Sequence, residues 1–141
     1  MRRRLVLSAP AMLLPATTAP VDLALVLAVD VSASVDFTEF GLMIGGYAAA
    51  FRDAELAGRL VGGPRGAAAV AMLFWSGPGA RDLAVPWTRV ADVEQAGALA
   101  EAIEQAPRIV PAGATALGEG LAAAAALLAR CPDPATRRVI D

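Results

Sequence analysis

No histidine and no lysine occurs among the 141 residues, and cysteine appears once, as Cys131. Without histidine there is no Ser-His-Asp triad, no Cys-His dyad and no imidazole-based zinc site. Without lysine there is no P-loop lysine, no Schiff base and no kinase-type ATP lysine. A lone cysteine excludes an internal disulfide and a thiolate cluster. Charge is sparse as well: 12 cations, all of them arginine, stand against 14 carboxylates for a formal net charge of -2. That balance lacks the basic face of a nucleic-acid binder. Apolar residues are plentiful, at 57%. They exclude intrinsic disorder, and the length suits one domain.

The amino terminus reads MRRRLVLSAPAMLLPATTA. Arg2, Arg3 and Arg4 precede a short apolar stretch, Leu5 to Leu14, and small residues follow to Ala19, which is the layout of a secretory signal. Pro10 interrupts the stretch, and Pro20 disfavours cleavage directly after Ala19. A ragged start to a cytosolic domain is the alternative. A membrane anchor needs about 20 unbroken apolar residues, which three prolines and Asp22 prevent. Residues 1–19 are therefore predicted to be an export signal, residues 20–141 the domain, and the location periplasmic or secreted.

Leu23 to Val29 (LALVLAV) and Ala67 to Trp75 (AAAVAMLFW) are continuous apolar runs, suited to strands buried on both faces of a parallel sheet. Between them, Phe37, Phe40, Ile44, Tyr47, Ala48 and Phe51 recur at helical spacing, behind a capping-box pair, Asp36 and Glu39. Asp53 to Val61 reads as a short helix, and Leu83 to Val90 as an edge strand because of Pro86. Asp92 and Gln95 cap a helix that Pro107 ends. An alanine-rich helix is predicted from about Thr115 to Arg130. Arg137 to Asp141 reads as a strand only begun. Alternating strands and helices predict an α/β, Rossmann-like, doubly wound, mainly parallel sheet, here expected to lack its last strands and helices.

The chemistry concentrates in Asp30-Val31-Ser32-Ala33-Ser34, a carboxylate and two hydroxyls at the carboxyl end of the first strand. Ligands of open α/β sheets bind at that edge, and such oxygens suit a hard divalent cation such as Mg²⁺. The competing reading is a plain strand-ending turn with Ser34 capping the next helix. Gly113-Ala114-Thr115-Ala116-Leu117-Gly118-Glu119-Gly120-Leu121 supplies another hydroxyl at the start of a second helix.

Asp-x-Ser-x-Ser after a first apolar strand, followed by Gly-x-Thr-x-x-Gly-x-x-Leu, resembles the von Willebrand factor type A domain. These are the first two segments of that family's metal-ion-dependent adhesion site. The stretches VDLALVLAVDVSASVD, GYAAAFRD, FWSGPG, VPWT and ATRRVID are similar to a bacterial, functionally uncharacterised branch of the superfamily. The resemblance spans Val21 to Asp141. It implies that Ser32 and Ser34 ligate Mg²⁺ or Mn²⁺ through their hydroxyls, that Asp30 binds directly or through water, and that Thr115 does likewise. It implies further that the carboxylate of an unknown protein partner, an exposed Asp or Glu, completes the coordination. The family's third segment is an aspartate expected a few residues beyond Asp141, and Asp141 itself is not assigned as a ligand. Ala114 stands where a second glycine is common.

The function expected is thus adhesion-type protein binding without catalysis. The alternatives are a metal-free interaction module with a degenerate site and a metal-assisted hydrolase. Elsewhere, Phe74, Trp75 and Trp87 read as core, Ser76 as a turn residue and Cys131 as a small packing residue. Asp82, Asp92 and Glu94 could pair as carboxylates, but Asp92 is better explained as a cap. Arg137 and Arg138 read as a solvated pair ahead of the last strand.

Overall fold

The computed structural model of the protein describes residues 18–141. All but the last two positions of the predicted export signal lie outside the described residues. Four strands form one sheet: β1 (Val21–Asp30), β2 (Ala68–Trp75), β3 (Arg81–Val90) and β4 (Ala135–Ile140). Their order is β3-β2-β1-β4, so β1 lies in the interior with β2 and β4 parallel on its two sides. Helices α1 (Phe37–Arg52), α2 (Ala54–Leu60), α3 (Val93–Glu104) and α4 (Leu117–Ala129) complete the domain.

Strand alternation sorts the core into two layers. Leu27 and Val29 of β1, with Val70, Met72 and Phe74 of β2, face the main core against Ile44, Ala48 and Phe51 of α1 and Leu99 and Ile103 of α3. Val26 and Leu73 face the other way, onto Ala124 of α4. Both faces of β2 are covered, and all eight of its residues are buried. A two-pronged ion pair between Arg52 and Glu104 joins α1 to α3 at the surface. The edge strand β3 runs antiparallel to β2 and slips register around Met72 and Val85, beside Pro86, which has no N–H to give the ladder.

Local signals placed the helix starts. Asp36 accepts from the Glu39 N–H while the Glu39 carboxylate accepts from the Asp36 N–H, a complete capping box. Asp92 accepts from the Gln95 N–H at α3. Ser34 caps nothing, because the chain runs two residues further before α1 begins. Three expectations need correction. Phe37, the first residue of α1, is 83% exposed and not part of the buried face. Helix α4 starts at Leu117, behind Ala116 with no side-chain cap, so Thr115 is left outside the helix. Arg137 and Arg138 sit within β4, paired with Leu23 and Ala24 and exposed, and that strand has the ordinary length of six residues.

Gly120 is where α4 meets the sheet. A Cβ there would lie 2.5 Å from the Trp75 ring, whereas one at Gly118 would meet nothing within 4 Å. Gly118→Ala should therefore raise stability by up to about 1 kcal/mol through helix propensity. Gly120→Ala should lower it by about 1–3 kcal/mol through overpacking. Urea midpoints of the two variants check the opposite signs.

Tyr47 donates a hydrogen bond of 3.0 Å to the Asp141 carboxylate. Burial, then that bond and the carboxylate's charge, push its phenol up to about 12. A raised pKa contributes stability that is whole below the unfolded value near 10 and is lost as pH climbs through 12. Tyr47 is the only tyrosine and no lysine is present, so phenolate absorbance reads this group alone. Its titration midpoint should fall near 12, and the stability gap between the native chain and Tyr47→Phe should close over that range.

Candidate functional site

Strand β1 leaves the sheet at Asp30, beside Trp75 at the end of β2. The Val31 N–H donates to the Trp75 carbonyl, so pairing carries one residue past the strand. The chain then folds back on itself. The Asp30 Oδ1 accepts from the Ser32 N–H at 2.8 Å, and the Ser32 carbonyl accepts from the Val35 N–H at 3.0 Å. This turn holds Ser32 almost wholly buried, at 1% exposure.

The loop between α3 and α4 closes over it. The Ala33 N–H donates to the Gly113 carbonyl at 2.9 Å, and the Thr115 hydroxyl donates to Ser32 Oγ at 3.1 Å across 83 residues of sequence. Ser34 Oγ lies 3.4 Å from Ser32 Oγ. Asp30, Ser32, Ser34 and Thr115 thus meet at the carboxyl edge of the sheet. A third loop braces the second: the Ala116 N–H donates to the Ser76 carbonyl, the Ser76 hydroxyl donates to the Pro111 carbonyl, and the Gly79 N–H donates to the Glu119 carboxylate. Ser76 is therefore a buried brace between loops as well as a turn residue.

The donor set fits a small hard cation. Neighbouring oxygens around an octahedral Mg²⁺, with bonds of roughly 2.0–2.1 Å, stand about 3 Å apart. The 3.1 Å and 3.4 Å separations among the three hydroxyls are of that size. One carboxylate, Asp30, is tied to the same turn. Among the described residues there is no group of three or more His, Cys, Asp or Glu positioned to hold a metal, so a cation here would draw on Asp30, the hydroxyl oxygens and water. Asp141 is not at the site: its carboxylate is engaged by Tyr47, and its backbone pairs with Val26 and Ala28, upstream of Asp30.

Arg108 was not singled out by sequence. Its guanidinium donates to the Val31 carbonyl at 2.9 Å and the Ser32 carbonyl at 3.3 Å, with a longer reach of 3.5 Å to Asp36. It also stacks between Phe37 and Phe40, 5.4 Å and 5.3 Å from their ring centroids. An arginine whose partners are backbone carbonyls more than 70 positions away leaves no spacing pattern to find.

The family described as "Protein of unknown function (DUF1194)" matches residues 20–141. The chain belongs to that family. In solved structures, the pilus adhesin SpaC from Lactobacillus rhamnosus GG is similar at 21% identity and a TM-score of 0.53, covering 88% of this chain and 15% of the adhesin. The von Willebrand factor domain of the type V pili tip protein Mfa5 from Porphyromonas gingivalis is similar at 17% identity and a TM-score of 0.47, covering 89% of this chain and 37% of that one. This chain thus spans well under half of either. No curated protein matches. The DUF1194 domain described here has the α/β, von Willebrand A-like fold expected from its motifs. In it, the two motif loops meet at one sheet edge.

Because Arg108 spans both motif loops, Arg108→Lys should cost about 1–2 kcal/mol, a point charge being unable to reproduce the fork. Denaturant unfolding measures the loss. Hydrogen exchange of the Ala33 amide should accelerate while β2 amides keep their protection.

Proposed function

We propose that this domain binds a protein partner through a divalent cation, Mg²⁺ or Mn²⁺, held by Asp30, Ser32, Ser34 and Thr115. The observation that carries the reading is the meeting of Ser32, Ser34 and Thr115 hydroxyls from two distant loops, with Asp30 in the same turn. A bound cation would supply a Lewis-acidic point to which a partner's carboxylate can attach. The residues of this chain set the terms of that attachment. Ser32, Ser34 and Thr115 are neutral, and only Asp30 brings a formal charge. A divalent ion among them keeps net positive charge and attracts an acidic group on a partner.

Binding, and not catalysis, suits the surroundings. The chain has no histidine or lysine to act as a base. The carboxylates close to the site are already employed: Asp30 in its own turn, Asp36 and Glu39 in the capping box, Glu119 on the Gly79 amide. Similarity of fold to a pilus adhesin accords with this reading. An exported location accords with the arginine-led amino terminus, and no helix among the described residues is long and apolar enough to cross a membrane.

A metal-free module is the second reading, favoured by one observation. The hydroxyls already bond to one another and so need no ion for satisfaction. Metal titration decides between the two. A ligand that binds only the folded state stabilises it by about 2.7 kcal/mol at a hundred times its Kd. Adding Mg²⁺ or Mn²⁺ should raise the Tm of the native chain by several degrees and leave Asp30→Asn and Ser32→Ala unmoved. An unchanged Tm in the native chain would leave the metal-free module.

A further inference from the structure

Helix α4 and the edge strand β3 leave an open groove of about 670 Å³ between them. Leu73 of β2, Leu83 of β3 and Leu127 of α4 give it an apolar lining, and Leu83 is 45% exposed. The α4 residues along it are Glu119, Ala122, Ala123, Ala126, Leu127 and Arg130. Their spacing puts them on one face of the helix. From Glu119 to Arg130 that face is about 16 Å long, at 1.5 Å per residue. Alanines fill its middle, so a second helix can approach closely.

The charges of this face are sorted by end. Glu119 lies in the first turn of α4 and Arg130 caps the last, both exposed. Glu119 spends Oε2 on the Gly79 N–H and keeps Oε1. Among the described residues Arg130 has no ion-pair partner. Arg81 and Asp82 also line the groove, and their opposite charges offset each other.

Turned end for end, the face complements itself. Glu119 with Arg130, Ala122 with Leu127, and Ala123 with Ala126 are three pairs that share one midpoint of α4. A two-fold axis through that midpoint sets the acid of one copy against the base of the other, and does so twice. The alanines and Leu127 meet between those ends. A parallel pair of helices would instead set acid against acid.

We infer that this face joins two copies of the chain. Each α4 lies antiparallel to its counterpart across the mouth of the groove, with Leu83 covered beneath. The hydroxyl cluster takes no part, so the contact forms without metal.

Sedimentation of the full chain in chelator, over micromolar to millimolar concentrations, tests this. The native chain should move from one chain mass toward twice that mass. Glu119→Arg and Arg130→Glu each set like charges together at both ends, and each should weaken self-association about tenfold at low salt. Mixed in equal amounts, the two variants should associate with one another, because every end contact then joins opposite charges again. Ala126→Arg leaves the Gly79 contact alone and should stay at one chain mass while folded by circular dichroism. A native chain that keeps one chain mass throughout overturns the inference. So does native-like association of Ala126→Arg, or a mixture that associates no better than its separate components.

Discussion

Ser32 is the residue on which the rest of this edge of the molecule depends. Its amide is spent on Asp30, its carbonyl on Val35 and Arg108, and its hydroxyl on Thr115 and Ser34. A buried polar group is costly unless it is partnered, and here each of its polar atoms has a partner. The satisfaction of one side chain thus dictates where two loops lie. The topology makes this possible: β1 releases its loop at its carboxyl edge, and although antiparallel β3 ends at the opposite edge, α3 carries the chain back so that the loop before α4 meets the same rim.

Much of the frame was legible from local pattern. The apolar runs that became β1 and β2 show no alternation because helices cover both faces, and the structure finds them so. Asp36 with Glu39 and Asp92 with Gln95 marked helix starts because capping is an interaction over three residues, contained in the string itself. Pro86 marked β3 as an edge because its missing N–H would interrupt an interior ladder.

What was not legible depended on tertiary placement. Phe37 continues the three-and-four spacing of α1, yet a period says nothing of which turns of the helix have partners to pack against. Thr115 has a helix former after it, but its hydroxyl serves Ser32 instead, so the helix begins two residues later. Asp30, Ser32, Ser34 and Thr115 could be named from the string only through resemblance to a known motif pair. Arg108 had no such help, and its contribution is visible only once the carbonyls of Val31 and Ser32 stand beside it.

The close approach of α4 to Trp75 sets which way the threonine-bearing loop can travel. With the buried indole of Trp75 against Gly120 and its Nε1 donating to the Ala28 carbonyl, the helix rests directly on a flat ring. It has no clearance to sink toward the strands. A larger residue at position 120 would have to lift α4, and with it Ala116 and Thr115, off that surface. The indole is thus a thrust bearing for the second half of the cluster.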